Sequence, residues 1–265
     1  MTTKPLPLAH DIRGPIGGLP VILLHGFPFD RHLWDDLFPR LAHTGFRPVA
    51  VDLPGYGDTA VPENPRSMRD TARDVLALAD RLGLKRFAVV GFSMGGYVAL
   101  EMADLEPERL AGLVLAATRA EPDTPENKQG RLELAAKVAK KGTAPLADAM
   151  FPRLLPTRTQ KERPGLARDV RAWFERAKPE AVERTLLALA ERRDLRPHLK
   201  KVAAPTLVVV GSADETMGTP PSELLAATIP GARIELFPGR GHMLMLEDPV
   251  RFHRTLLEWL QSLPA

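Results

Sequence analysis

Six short apolar runs recur along the chain: residues 19–26 (LPVILLHG), 47–55 (RPVAVDLPG), 85–93 (KRFAVVGFS), 110–118 (LAGLVLAAT), 204–214 (APTLVVVGSAD) and 232–239 (ARIELFPG). Each is rich in Val, Ile, Leu or Ala, lacks polar alternation, and closes on small or turn-forming residues. Continuous apolar runs of this length predict strands buried on both faces, as in a parallel sheet. Helix-period patterns fill most of the gaps. Residues 67–83 open with Ser67 as an N-cap, three residues before Asp70, and close at Gly83. Between those ends Val75, Leu78, Ala79 and Leu82 share one stripe. Residues 248–263 (DPVRFHRTLLEWLQSL) repeat the scheme. Strands alternating with helices in this way predict an α/β fold with a doubly wound, mostly parallel sheet.

The rhythm breaks between Thr118 and Leu195. There the patterns predict only helices, at 127–141, 144–155, 164–177 and 179–193, punctuated by Pro and Gly. An ordinary crossover between parallel strands needs only about a dozen residues. The excess predicts a helical cap (lid) over residues 119–195, laid across the carboxyl edge of a core built from 1–118 and 196–265.

Composition removes several classes of function. The net charge is only +3, and cysteine is absent from the 265 residues. The densest basic cluster, residues 131–141 (RLELAAKVAKK), reads as the solvated face of an amphipathic helix, so nucleic acid is not an expected partner. Without cysteine there is no disulfide, thiolate metal site or thiol nucleophile. No apolar run reaches the roughly 20 residues that span a bilayer, and the N-terminal stretch lacks the apolar core of a signal peptide. A cytoplasmic protein without a membrane partner, monomeric or homodimeric, is the expectation.

The candidate chemistry sits in residues 89–100 (VVGFSMGGYVAL), where a strand hands over to a helix. Ser93 is flanked by Gly91 and Gly95 in the spacing G-x-S-x-G. A serine at so tight a turn is driven to positive φ with its hydroxyl held clear of the sheet edge, and residues two before and two after it must be small. Serine needs a base to become a nucleophile, and the base needs an orienting group. Among seven histidines, His242 lies on a Gly-rich loop after the last strand and before the last helix, which reaches the same sheet edge. His25 ends the first strong strand and is expected to shape its loop. Asp214 closes another strand and is the leading acid; Asp123, after the 110–118 strand, is the alternative. An oxyanion needs two amide donors, expected at Met94 and at Phe27 in the "HGFP" loop.

Taken together, "HGFPFDRHLW" (25–34), "DLPGYGDT" (52–59), "GFSMGG" (91–96), "GSADETMGTPP" (211–221) and "GHMLMLEDP" (241–249) resemble the α/β-hydrolase fold superfamily, over essentially the whole chain. The resemblance implies an eight-stranded, mostly parallel sheet with a helical cap between strands 6 and 7; the N-terminus is short for the family's first two strands. In the family, the motif matched by Asp52, Gly55 and Gly57 shapes a loop near the site. Within the family, "HGFPFDRHLW" with "GFSMGG" looks like the esterases and the 3-oxoadipate enol-lactonases, and Pro28 after Phe27 also resembles cofactor-free perhydrolases. A serine in place of aspartate argues against dehalogenases and epoxide hydrolases.

The reading that follows is a carboxylesterase acting on small-molecule esters of small to medium acyl chain, with perhydrolase side activity and no cofactor or metal. The alternative is an enol-lactonase; a lyase or a ligand receptor on the same fold ranks below both. Phe29, Met150, Phe151, Leu154, Trp173 and Phe174 are the expected pocket residues, each of which cap packing alone would also explain. No basic cluster is committed to a substrate carboxylate, although Arg119, Arg153 and Arg171 lie in the region, and this favours neutral esters over a dianionic lactone.

Overall fold

Residues with branched and aromatic side chains form the centre of the sheet because both of its faces are covered. In the computed structural model, which describes residues 4–264, seven strands are present: β1 (His10–Ile12), β2 (Pro20–Leu24), β3 (Arg47–Val51), β4 (Phe87–Phe92), β5 (Leu110–Ala116), β6 (Thr206–Gly211) and β7 (Arg233–Phe237). They lie in the order β1-β3-β2-β4-β5-β6-β7. All pairings are parallel except β1 with β3. Every residue of β4, β5 and β6 is buried, as expected for parallel strands sandwiched between helices.

Two expectations need correction. The resemblance implied eight strands, and the described residues form seven. The segment before β2 carries Pro5, Pro7, Pro15, Gly14, Gly17 and Gly18, which withhold amide donors or resist extended pairing. Only three residues there form a strand, antiparallel to β3. The run at 232–239 is not buried on both faces either. Among the described residues β7 pairs only with β6 and so lies at the edge of the sheet, and Ile234 and Leu236, which share one face of it, are 43% and 46% exposed.

The helices are α1 (Leu37–His43), α2 (Met68–Arg81), α3 (Met94–Leu105), α4 (Pro125–Lys141), α5 (Ala144–Leu154), α6 (Thr157–Glu162), α7 (Pro164–Arg176), α8 (Pro179–Ala190), α9 (Pro220–Thr228), α10 (Leu244–Glu247) and α11 (Pro249–Gln261). They flank both faces of the sheet. As the pattern predicted, the Ser67 hydroxyl caps α2 by accepting from Asp70 N–H, and Gly83 follows it at φ +69°. Helices α4 to α8 all fall between β5 and β6; α6 is short, and its six polar residues give no apolar period to read. None of the described helices is long and apolar enough to cross a membrane.

The end of this helical insertion is tied to the core by ions. Arg193, just beyond α8, donates to Glu101 and Asp104 of α3 at 2.7 and 2.6 Å. Arg69 of α2 reaches the same two carboxylates, and His198 Nδ1 lies 2.6 Å from Asp104. Burial opposes ionisation of Asp104, but the hydrogen bonds from Arg69, Arg193 and His198 outweigh it and hold the carboxyl down at about 2. A carboxyl whose pKa falls on folding stabilises the fold fully above its unfolded value of 3.8, and that contribution fades as pH drops through the folded one. Asp104→Asn is therefore expected to be less stable than wild type at about pH 6, with the gap narrowing between about pH 4 and pH 2. Urea midpoints across that range measure it.

Candidate active site

The turn from β4 into α3 sets the site. Ser93 stands between them at φ 51°, ψ −111°, left-handed backbone that a non-glycine residue rarely adopts. The surroundings leave it little alternative. A β-carbon on Gly91 would lie 2.5 Å from the Gly95 carbonyl oxygen, and one on Gly95 would lie 2.3 Å from that of Leu24. Both contacts are impossible for a side chain, so the strand-to-helix turn closes only with glycine at these positions. The turn is pinned from the neighbouring strand: Ser93 N–H donates to Ala116 O at 2.9 Å, and the Thr118 hydroxyl donates to Ser93 O at 2.8 Å.

His242 and Asp214 arrive on loops from the same sheet edge. Ser93 Oγ lies 3.0 Å from His242 Nε2, and His242 Nδ1 lies 2.9 Å from Asp214 Oδ2. The second Asp214 oxygen accepts the N–H groups of Thr216 and Met217 at 2.8 and 2.9 Å. Burial opposes ionisation of Asp214, but the imidazole and these two amides prevail and leave its pKa below the usual carboxylate range. A carboxylate only accepts, so Nδ1 carries the imidazole proton and the Nε2 lone pair faces the serine hydroxyl. Such a chain can take the hydroxyl proton as the oxygen attacks an electrophile, and later return it. All three residues are buried, with Ser93 8% exposed, and the Phe92 ring packs 5.0 Å from the imidazole.

Asp123, the alternative acid, is paired with Arg131 and Arg192 instead. His25 does shape its loop. It is fully buried; Nδ1 contacts Gly26 O at 2.8 Å, and Nε2 accepts from Leu53 N–H at 2.9 Å. Burial holds its pKa below that of a free histidine, consistent with a neutral ring that donates once and accepts once.

The loop carrying Phe27 presses against the nucleophile turn. A β-carbon on Gly26 would meet the Phe92 ring at 2.8 Å and Ser93 Cβ at 3.2 Å. Met94 is the first residue of α3, so its N–H has no partner within the helix. Phe27 is buried and meets the Tyr56 ring edge to face.

Of the expected pocket residues, Phe29 gathers Trp173 and Phe174 around it, with ring centroids 5.3 and 6.3 Å away. This cluster continues through Phe92 to the imidazole. Met150 lines a cleft of about 540 Å³ with Tyr97, Asp214 and Met217. Leu154 is fully buried, and its carbonyl accepts Met243 N–H at 3.3 Å, beside His242. Phe151 stands apart, half-buried under the Arg171 guanidinium. Arg119 and Arg153 also line the Met150 cleft, each donating to a backbone carbonyl of the 215–217 loop.

Sequence reading missed two members of this region. Tyr56 holds the insertion to the core: its hydroxyl donates to Thr185 of α8 at 2.9 Å while its ring meets His25. Its position inside "DLPGYGDT" was the available signal. Arg31 neutralises the buried Asp52 and also bonds Asp11 and Asp58, a pairing no spacing rule predicts. Among the described residues no cluster of three or more His, Asp or Glu side chains is placed to hold a metal ion.

Known proteins share this architecture. A thermophilic esterase from Thermogutta terrifontis, solved with malate bound, superposes with a TM-score of 0.92 at 38% identity, covering 96% of this chain and 93% of that one. An enol-lactonase from Burkholderia xenovorans LB400 gives a TM-score of 0.89 at 26% identity over 96% of both chains. The pimeloyl-[acyl-carrier protein] methyl ester esterase of Neisseria meningitidis is 33% identical over 91% of this chain and 93% of its own length. A sequence profile of the alpha/beta hydrolase family matches residues 21–255. With that match over most of its length, the chain belongs to the alpha/beta hydrolase family.

Proposed function

We propose that this protein is a serine hydrolase that cleaves carboxylic esters of small to medium acyl chain through an acyl-enzyme. One observation carries the reading: Ser93, His242 and Asp214 form a continuous hydrogen-bonded chain at the carboxyl edge of the sheet. The likeness to esterases supports it.

In this reading His242 Nε2 takes the proton from Ser93 Oγ as the oxygen attacks the ester carbonyl. Asp214, ionised and held by two amides, fixes the tautomer and stabilises the imidazolium. The N–H groups of Phe27 and Met94 receive the oxyanion, and each such donor typically contributes about 3–4 kcal/mol to the transition state. His242 then passes its proton to the departing alkoxide, which leaves as the alcohol. Water, deprotonated by the same imidazole, attacks the acyl-serine; the acid departs and Ser93 regains its proton. Residues 119–195 serve as a cap over the core formed by 1–118 and 196–265, with Phe29, Trp173 and Phe174 walling the acyl side.

A lactone is a cyclic ester and would follow the same steps. The likeness to an enol-lactonase and the presence of Arg119 and Arg153 along the cleft favour it as the second reading.

Ser93→Ala is expected to lower kcat on p-nitrophenyl acetate and butyrate by at least about 10⁴ while leaving the circular dichroism spectrum unchanged. Retained full activity would refute the mechanism. The same assay extended to enol-lactones and cyanohydrins separates the esterase from the lactonase and lyase readings. Asp214→Asn should leave Ser93 in place but favour the wrong imidazole tautomer, with a loss of about 10⁴ in kcat near neutral pH. Steady-state kinetics on the purified variant check it.

A further inference from the structure

Glu247 is a buried carboxyl that the proposed mechanism does not use. It ends the short helix α10, five residues beyond His242, and is only 6% exposed. Its two oxygens face different parts of the chain. Oε1 accepts the N–H of Gly241, the residue before His242, at 2.8 Å. Oε2 accepts the hydroxyl of Thr159, in α6 of the helical insertion, also at 2.8 Å.

The other side of His242 is tied to the same segment. Met243 N–H donates to Leu154 O at 3.3 Å. Arg163 donates to the carbonyls of Leu246 and Glu247 at 2.8 and 3.1 Å. Gly241 itself lies so near the insertion that a β-carbon there would stand 2.4 Å from Pro156 Cδ. Both residues flanking the imidazole are therefore bonded, directly or through one side chain, to residues 154–163.

We propose that Glu247 is a positioning residue for His242, its carboxyl fastening the loop that carries the base to the helical insertion. The inference rests on the serine-hydrolase reading and deepens it. A buried carboxyl is a poor device for stability alone, since desolvation offsets much of what its bonds contribute. Burial pushes the Glu247 carboxyl above the usual range, against the Thr159 and Gly241 bonds and the charges of Arg240 and Arg163. The Gly241 bond needs only an acceptor oxygen, which either protonation state provides. What the arrangement secures is the place of the Gly241 amide, and with it the start of the His242 loop. Because Thr159 holds the other oxygen, a shift of the insertion over the site is transmitted to the base.

The test compares wild type with Glu247→Ala, Glu247→Gln and Thr159→Val, measuring kcat and KM on p-nitrophenyl butyrate, melting temperature, and inactivation by phenylmethylsulfonyl fluoride. Misplacing a catalytic group by about 1 Å costs up to roughly a hundredfold. Glu247→Ala should therefore lower kcat by roughly ten- to a hundredfold with KM changed less than about threefold, and sulfonylation should slow by a similar factor. Glu247→Gln keeps an oxygen for Gly241 and an amide for Thr159, so its kcat should stay within about threefold of wild type. Thr159→Val should fall between the two.

Wild-type kcat in Glu247→Ala overturns the proposal, as does an effect confined to KM or a glutamine variant as impaired as alanine. If the alanine variant does not fold, Thr159→Val decides: reduced kcat at unchanged KM and melting temperature supports the proposal, and wild-type kcat overturns it. Failure of the underlying reading has a different signature. Wild type would then turn over no ester in a Ser93-dependent way, whatever residue 247 is.

Discussion

Everything at the site hangs on a backbone contact too close for any side chain. At Gly91 and Gly95 the turn out of β4 leaves no room for a β-carbon, and the chain can enter α3 only by forcing Ser93 to φ 51°. A residue in such a conformation persists only where its surroundings over-determine it. Here they do so through Ala116, Thr118 and the end of β2. The result is a hydroxyl lifted off the sheet edge at the first turn of a helix, where unpaired amides favour developing negative charge.

A parallel sheet adds the second constraint. Every strand that runs in the same direction delivers its following loop to one edge, so residues remote in sequence meet there. β4 delivers Ser93, β6 delivers Asp214, and the loop after β7 delivers His242. The hydrogen bond from serine to imidazole joins positions 149 residues apart. The helical insertion between β5 and β6 is bonded to the loop that carries His242, through Leu154 to Met243 and through Thr159 to Glu247. The Tyr56–Thr185 bond and the ion network at Glu101 and Asp104 join that insertion to the core.

Much of this was legible in the sequence because local rules governed it. The central strands are continuous apolar runs, α2 has a readable cap at each end, and G-x-S-x-G has one steric meaning in a strand-to-helix turn. The errors fall where local pattern and environment part. Residues 232–239 are apolar enough to suggest a buried strand, yet β7 lies at the edge, a fact only the pairing order supplies. The short polar helix α6 has no period to detect. Arg31 and Tyr56 matter through partners on other elements, and the choice between Asp214 and Asp123 turned on which carboxylate faces an imidazole and which faces two arginines.

The central claim is that Ser93 is made nucleophilic by His242 and Asp214. Treatment with diisopropyl fluorophosphate followed by peptide mass spectrometry tests it most directly. The account predicts one phosphoryl group per chain, on Ser93, with esterase activity lost in step with its attachment. Attachment at another residue, or activity that survives full modification of Ser93, would contradict it.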